Sequence, residues 1–574
     1  MFNLKVERLG RFHVIIMEGY ENDAANLHQG KRIVTCNSES FGSTDDAATD
    51  DSITHTRPGK AVNSKELRRD LNMRHLCFLA LGSGVGTGLF MGSGNILKYG
   101  GPGSLMISFV LLGFMVITVI FAVGELVSVF PSSASYAEML KRFVHPSAGF
   151  AIGINYVTTW LIILPTELTV SCMAISYWDK DEVVPKGVWV AIILVAVFSV
   201  NLFGVRFFGE FEMLTTSIKM AGCIGFIVAC IVFACGGANS EHVGAHYWHQ
   251  PGAFKNSFKG FCNSFAFTAL AYGGTEIIGV TVGESSHPRR HLPKAAKYVV
   301  YRVLIFFILS LFMVSLLVPS DNPELSNYSP FVMAIESGGV RALPQIFNAV
   351  TLISFISVAN AAVYTASRLL YTMAEKHFIP SIFLFSDRQG RPIAGYIFVF
   401  LFGLLGFLVY SSSEEEVFNW LGSISGMSVI LLWSSIALAH IRFRFAWKRA
   451  GYSVKDLPWS SPLGIWGSIV ALTLNILVLM ATFYISVFPI DEAQSDGYAR
   501  AKEFFQSYLS VVIMLFSFLL HLITTRSKFI RLSDIDLQTG RRDPNEGHEW
   551  EFEKGELMKP RWRLSLIHIS EPTR

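Results

Sequence analysis

The chain has 574 residues, of which 51% are hydrophobic and only 16% are charged, against roughly a quarter charged in soluble domains. This composition argues against a series of soluble domains and indicates one polytopic membrane domain between two polar tails. The net charge of +3 comes without a basic stripe, so nucleic-acid binding is not indicated.

The N-terminal segment, residues 1–70, is predicted to be a disordered cytoplasmic tail. Its stretch Ser38–Ser52 is polar and acidic and shows neither a helical nor a strand period. The apolar run Val14–Met17 is too short for a signal peptide, so we expect the first spanning helix to direct membrane insertion.

The remaining chain is predicted to be all-α, with a twelve-helix transporter domain over 71–526 and a cytoplasmic C-terminal tail over 527–563. The apolar runs are long enough to cross a bilayer and recur without an intervening soluble unit. We place the spans at 75–97, 104–130, 147–176, 188–204, 212–236, 260–283, 299–318, 344–373, 393–410, 417–441, 463–486 and 508–525.

The loop charges predict the orientation. With the N-terminus inside, the short inner loops hold fifteen lysines and arginines and the outer connections eight, including the wholly acidic Glu414–Glu416. The positive-inside rule therefore places both tails in the cytoplasm.

The first span is interrupted by four glycines and two hydroxyls in Leu81–Phe90. Irregular backbone at membrane depth is tolerated only where protein or a water-filled cavity satisfies its polar groups, so we interpret this span as a broken helix. Close helix packing through small residues remains an alternative. A dinucleotide loop fits worse, because Thr87 stands where its third glycine would be.

The sixth span carries a second interruption, Ala271–Glu276, with paired glycines, a hydroxyl and a carboxylate. Paired broken helices in corresponding positions are typical of secondary transporters. Because five is an odd number, a second five-helix unit that starts at span six enters the membrane from the opposite side. We therefore predict two inverted five-helix repeats with a shared site at the midplane. Spans eleven and twelve would lie outside the repeat.

Glu125, Glu167, Lys219 and Glu276 are ionisable residues inside predicted spans, where burial is costly and function is the first hypothesis. For Glu125, a structural role as a hydrogen-bond partner is as good an interpretation as a functional one. Glu167, beside Pro165, is predicted to line the site. Glu276 begins the inner half of span six, where an ordinary helix also favours glutamate. Lys219 lies in span five.

Ordered motifs over residues 65–563 resemble the fungal amino acid permease family, part of the amino acid, polyamine and organocation transporters. Three further segments resemble the general amino acid permease branch. The family motifs are Leu81–Gly94 with Gly100–Pro102, Leu164–Leu168, Gly283–Ala295, Ala366–Leu369 and Phe418–Leu421, and the branch motifs are Ala374–Pro380, Ile535–Arg542 and Lys559–Trp562.

The resemblance implies a five-plus-five inverted-repeat fold, proton-coupled amino acid uptake and a plasma-membrane location. It also implies that Lys219 stands where sodium-coupled relatives hold a cation. Two departures stand out: Ser83 replaces the more common glycine, and Leu564–Arg574 resembles a translated sequencing adapter. We therefore expect 564–574 to be a non-native end.

The broken helices suit a zwitterion, whose charges cannot enter a low-dielectric site unpaired. Backbone N–H groups of the first break would bind the carboxylate, carbonyls near Ala271–Gly273 the ammonium, and Tyr272 would cap the cavity. Spans three, eight and ten would set side-chain specificity, although the small residues Ser354, Ser357, Asn360, Ser423 and Ser425 equally fit a helix contact. The predicted substrate-binding set is Ser83, Gly84, Gly86, Thr87, Gly88, Glu167, Tyr272, Gly273, Gly274, Thr275, Ser357 and Ser425, with Lys219 and Glu276 for proton coupling.

The sequence thus predicts a proton-coupled symporter of amino acids of broad range, with the lipid bilayer as its environment and cytoplasmic regulators acting on its tails. A narrower permease, an exchanger, a polyamine carrier and a nutrient-sensing receptor on the same scaffold remain alternatives. No cofactor, metal cluster or nucleophile–base pair is indicated, so an enzyme is not expected. Cys235 and Cys262 flank one outer loop, so a disulfide between them remains an alternative.

Overall fold

The structure is a computed structural model of the 574-residue chain. It describes residues 3–9, 12–18, 33–35, 73–82, 84–130, 136–237, 244–277, 296–387, 389–410, 414–490 and 497–541. The chain divides into two compact units, Met1–Ala61 and Val62–Arg574.

The first unit contains three antiparallel strands in the order β1-β2-β3. Leu9 pairs with Phe12 across a two-residue connection, which is a common hairpin length. These strands were not expected from the sequence, where we predicted a disordered tail over 1–70. The other residues of that tail lie outside the described residues, so disorder there stays a prediction. The strands are β1 Asn3–Leu9, β2 Phe12–Glu18 and β3 Ile33–Thr35.

The second unit is helical throughout its described residues. Its helices are α1 Met73–Gly82, α2 Gly88–Val129, α3 Tyr136–Phe143, α4 Pro146–Ser176, α5 Lys186–Leu202, α6 Val205–Ala234, α7 Ser257–Tyr272, α8 Ala296–Leu317, α9 Pro330–Glu336, α10 Ala342–Glu375, α11 Ile393–Tyr410, α12 Glu414–Arg449, α13 Gly464–Val487 and α14 Gly497–Thr525. Short helical turns lie at Trp248–Gly252, Pro323–Ser326, Ser381–Leu384 and Val454–Asp456.

Nine helices of the described residues are long and apolar enough to cross a bilayer: α2, α4, α6, α8, α10, α11, α12, α13 and α14. The apolar helix α5, Lys186–Leu202, is shorter. The predicted all-helical, multi-span architecture is therefore confirmed. The count of twelve spans stays a prediction, because α1 is short and residues 278–295, between α7 and α8, lie outside the described residues.

Helix α2 joins two predicted spans. Gly101 inside it has φ +79°, a left-handed conformation that suits glycine, and Pro102 follows. The helical ladder is therefore interrupted between the predicted first and second spans.

The packing of the bundle places α4 at its centre, against both α10 and α12, while α2 packs against α7. In α12, 83% of the apolar stretch is buried, against 11% in α14. The exposed apolar surface of α14 is what a lipid-facing peripheral helix presents.

The two ends of the 36-residue helix α12 mark the two ends of the bundle. Near its C-terminus, Arg442 donates to the carbonyl of Phe143 at the end of α3 and to that of Ile530, beyond α14. We call this the α3 end. At the opposite end, Asn95 donates to Asn419 at 2.9 Å.

Glu125 of α2 is fully buried near the α3 end. Its carboxylate lies 3.1 Å from His440 Nε2 and accepts hydrogen bonds at 2.7 Å from Arg444 Nη2 and the Ser461 amide. These contacts join α2 to α12, which supports the interpretation of Glu125 as a structural hydrogen-bond partner. The cysteines of the described residues, Cys235 and Cys262 included, are free thiols.

Candidate functional site

Helix α1 ends at Gly82, inside the glycine-rich segment. Val85 N–H reaches back to the Gly82 carbonyl at 3.2 Å, and Gly84 has φ +81°, which a residue with a Cβ adopts only under strain. The chain becomes helical again at Gly88, where α2 begins. The predicted break of the first span is therefore observed.

Helix α7 ends at Tyr272, where the second break was predicted. Gly273 N–H closes the last turn on the Ala269 carbonyl at 2.9 Å, and Gly274 has φ +83°. The chain from 278 to 295, which includes the whole motif Gly283–Ala295, lies outside the described residues.

The two breaks touch. A Cβ built on Gly84 would lie 2.7 Å from the Gly273 carbonyl oxygen, and one on Gly88 would lie 2.2 Å from Ala271 Cα. Neither position has room for a side chain. Glycine is required here because the two backbones approach each other, in addition to the turn at Gly84.

A small cavity of about 30 Å³ lies at this junction, room for about one water molecule. Its wall is mixed, with apolar side chains such as Ile163 and Val358 beside charged ones. The predicted site residues that line it are Gly84, Gly86, Thr87, Gly88, Glu167, Lys219, Gly273 and Ser357.

Glu167 connects α4 to the first break. Thr87 Oγ1 donates to Glu167 Oε2 at 2.6 Å, and both side chains are buried. A buried carboxylate needs such partners, since an unpaired one is costly. The contact orients Glu167 toward the cavity between α4 and the start of α2.

Lys219 of α6 reaches the other side of the same break. Its Nζ lies 3.5 Å from the carbonyl oxygen of Gly82, and the side chain is 1% exposed. The carboxylates of Glu212 and Glu167 attract its ammonium group. The structure thus brings one cation and two carboxylates to one cavity.

Glu212 was missed in the sequence analysis. It accepts hydrogen bonds from Ser357 Oγ at 2.9 Å and from Asn360 Nδ2 at 3.0 Å, which joins α6 to α10. It stands seven residues before Lys219, so the two share one face of a helix. This seven-residue spacing was the signal in the sequence by which Glu212 could have been found.

Arg302 of α8 was also missed. It is fully buried, donates to the Ala80 carbonyl of α1 at 3.1 Å and to the Thr275 hydroxyl, and so joins both breaks. A charged residue inside the predicted span 299–318 was the available signal. Thr275 itself donates to the Tyr272 carbonyl at 2.6 Å, which closes the second break locally.

Glu276 is fully buried but does not line the cavity. Its Oε1 accepts a hydrogen bond from Gly274 N–H at 3.1 Å, and Tyr136 donates to its backbone carbonyl at 2.5 Å. The alternative from the sequence, a glutamate that satisfies backbone donors at a helix start, fits this geometry. Its role in proton coupling stays a prediction.

Tyr272 and Ser425 are further predicted site residues that do not line the cavity. Tyr272 is directed away from it, because its hydroxyl donates to the Phe109 carbonyl at 2.9 Å and its ring stacks on Phe307 at 4.7 Å. Ser425 is buried beside Gly426, where a Cβ would lie 2.0 Å from the Ala266 carbonyl. Helices α7 and α12 approach closely there, so Ser425 fits the helix-contact alternative.

Gly274 is a further predicted site residue, and it lies in the second break. Gly274 is close to the cavity wall, since a Cβ there would lie 3.3 Å from the Trp160 ring and 3.6 Å from the amide nitrogen of Gly84. Trp160 of α4 lines the cavity and was not among the predicted residues. Ser83 lies outside the described residues.

Comparison with known proteins supports the transporter interpretation. Residues 75–533 match the amino acid permease family. The chain is 42% identical to amino-acid permease GAP5 of Candida albicans over 84% of this chain and 78% of that protein. It is 38% identical to the general amino-acid permease GAP1 of Saccharomyces cerevisiae over 86% and 85%, and 39% identical to cationic amino acid transporter 1 of Schizosaccharomyces pombe over 84% of each chain.

The fold and the site define a multi-pass membrane transport protein with a cavity at two helix breaks. The chain belongs to the amino acid permease family, as the sequence resemblance indicated. Its relatives are permeases and transporters of amino acids, so its functional class is amino acid transport.

Proposed function

We propose that this protein is a proton-coupled symporter that imports amino acids of broad range across the plasma membrane by alternating access. The α3 end, with both tails, faces the cytoplasm, where regulators act on the tails. The substrate lies at the junction of the two breaks, with its carboxylate on backbone donors of the first break and its ammonium near the Ala271–Gly273 carbonyls.

The observation that carries the proposal is the placement of Lys219 beside the Gly82 carbonyl, 3.5 Å away, within reach of two buried carboxylates. A cation at this position holds the end of α1 without a bound metal ion. A proton that moves between Lys219 and Glu212 or Glu167 changes this contact, and thereby links protonation to the geometry of the break.

Alternating access is supported by the size of the cavity. At about 30 Å³ it holds about one water molecule, so an amino acid enters only if the surrounding helices move apart. The breaks are the places where such movement costs least, because the helical hydrogen-bond ladder is already interrupted there.

Broad range is supported by the wall that faces the side chain of the substrate. Ile163, Val358 and Ala361 contribute apolar and small surface to it. The two carboxylates of the wall are each hydrogen-bonded, Glu167 to Thr87 and Glu212 to Ser357. The wall therefore offers no strong selection for one side-chain charge.

Uptake by the purified protein in liposomes tests the proposal. We expect labelled amino acids of several classes to accumulate when the outside is acidic, and to equilibrate without accumulation when the pH difference is abolished by a protonophore. Accumulation that ignores the pH difference would contradict proton coupling. Uptake that occurs only when the liposomes are preloaded with amino acid would identify an exchanger. Uptake of cationic amino acids alone would identify a narrower permease.

A further inference from the structure

A second cavity lies at the end of the bundle opposite α3. It has a volume of about 260 Å³, against about 30 Å³ for the cavity at the breaks, and is formed by α2, α7, α12, α13 and α14. Its size approaches the range of about 300 Å³ and above found for small-molecule sites. It accommodates a solute that the cavity at the breaks, in this conformation, does not.

The wall of this cavity is polar although the helices around it are apolar. It includes the amides of Asn263 and Gln506 and the hydroxyls of Ser423, Ser486 and Ser507. Polar groups that face lipid or pack against apolar side chains are costly, so a wall of this kind is suited to water and polar solutes. Amides both donate and accept hydrogen bonds, which matches a ligand that carries both kinds of group.

A carboxylate lines the cavity, and an ammonium group lies beside its wall. Glu503 of α14 contributes a carboxylate to the wall, and Lys259 Nζ donates to the carbonyl of Pro489, a wall residue, at 3.1 Å. A free amino acid presents the complementary pair, an ammonium and a carboxylate. This pairing favours a zwitterion over a simple anion or cation.

The cavity is next to the first one along α7. Phe267 lines the larger cavity and Leu270 the smaller, and the two residues are three positions apart, about one helical turn or 5 Å. The rings of Phe267 and Phe418 pack at 5.4 Å between centroids. A thin aromatic layer therefore separates the two cavities.

We propose that the larger cavity binds the zwitterion of a free amino acid, as a second substrate site one helical turn from the breaks. The inference rests on the proposed function, because it takes the same substrate class and places the cavity on the outer side. An amino acid bound there is desolvated and oriented in part before the breaks open to admit it.

Protection of an engineered thiol tests the site. Ser507→Cys is introduced into a Cys235→Ser background, so that the exposed native thiol does not react, and is labelled with a membrane-impermeant thiol reagent with and without millimolar alanine. We expect alanine to slow the labelling. Ser337→Cys, at an exposed position near the end of α9, is the matched control and should show no protection.

The same measurement in a Gly88→Val variant separates the two sites, because the added valine side chain occupies the junction of the breaks and blocks the substrate there. Protection of the introduced thiol should persist there if the larger cavity binds alanine itself. Protection that disappears with Gly88→Val overturns the proposal, since the thiol then reports only a movement caused by binding at the breaks. Absence of labelling at both Ser507→Cys and Ser486→Cys overturns it too, because the cavity is then closed to water.

A second variant tests the recognition. Gln506→Leu should raise the alanine concentration for half-maximal protection about tenfold, because an amide of the cavity wall that bonds the ligand is lost. Gln345→Leu, the same change at an exposed position, should leave it unchanged. Unaltered protection in Gln506→Leu contradicts the site. Failure of the transport proposal is recognised separately, as absence of uptake by the wild-type protein in liposomes.

Discussion

The ammonium nitrogen of Lys219 lies 3.5 Å from the carbonyl oxygen of Gly82, the last residue of α1. The last carbonyls of a helix have no partner within the helix and carry the negative end of its dipole. A buried cation at this point stabilises the broken end of α1. It also makes the geometry of the break sensitive to any change of charge on α6.

Replacement of Lys219 by Met should abolish accumulation of amino acids against a gradient and spare part of the exchange of internal for external substrate. Glu212→Gln should act in the same direction, because it removes the negative charge that attracts Lys219, while the side chain keeps its size and one oxygen that accepts a hydrogen bond from α10. Uptake and exchange in liposomes with an imposed pH difference measure both effects. Lys180→Met, an exposed lysine, is the control. A Lys219→Met protein that still concentrates amino acids would exclude Lys219 from the coupling.

Gly88→Val should reduce transport to background while the protein still inserts into the membrane. The added Cβ would lie 2.2 Å from Ala271 Cα, so the two breaks must separate. Gly225→Val, on α6, has nothing within 4 Å of the added Cβ and should transport normally. Uptake and surface labelling are measured on the same cells. Normal transport by Gly88→Val would disprove the junction as the substrate site.

Ala361→Leu should impair uptake of bulky amino acids at least tenfold more than uptake of glycine, because Ala361 lines the cavity and its enlargement removes space. The sequence analysis assigned this role to Ser425. Since Ser425 is buried and its neighbour Gly426 lies at the close α7–α12 contact, Ser425→Leu should impair all substrates alike through overpacking. A competition panel of amino acids against labelled glycine distinguishes the two patterns. A size-dependent loss in Ser425→Leu would restore the original assignment.

Arg302→Lys should lower the thermal stability of the purified protein. The Arg302 guanidinium donates to both the Ala80 carbonyl and the Thr275 hydroxyl. A lysine ammonium cannot reproduce this pair of hydrogen bonds from one planar group. One buried partner is then left unsatisfied, at a cost of about 1–3 kcal/mol. The melting temperature in detergent measures the change. The exposed Arg341→Lys serves for comparison, and equal melting temperatures for both variants would argue against Arg302 as a tie between the breaks.

The C-terminal segment Arg526–Arg541 should stay packed on the α3 end of the bundle at every pH between 5 and 7. Hydrogen bonds from the Thr539 side chain and the Thr539 and Gln538 amides lower the pKa of Asp536 to about 2. Because the folded pKa is below the unfolded value of about 3.9, this stabilisation is present above pH 4 and lost as the pH falls through 2. Asp536→Asn should raise hydrogen exchange over 526–541 at neutral pH. Equal exchange in wild type and variant would refute the assignment.

Much of the site was accessible from the sequence because its signals are local. The glycines around Gly84 and Gly274 mark backbone that cannot be helical, and Glu167 and Lys219 are charges inside apolar runs. Such residues are conspicuous at membrane depth, where hydrocarbon penalises irregular backbone and charge. The same penalties marked Glu212 and Arg302, although their meaning depends on partners far away in the chain.

The sequence by itself determined the helical, membrane-spanning class, the places where α1 and α7 end, and the family. Only the tertiary structure decided which side chains meet at the breaks. It directs Tyr272 toward Phe109, puts Ser425 at a tight helix contact, and joins Glu212 to α10 and Arg302 to both breaks. The physical reason is that a helical period indicates a polar or small face without stating whether a cavity or another helix covers it. Packing between helices distant in sequence makes that choice.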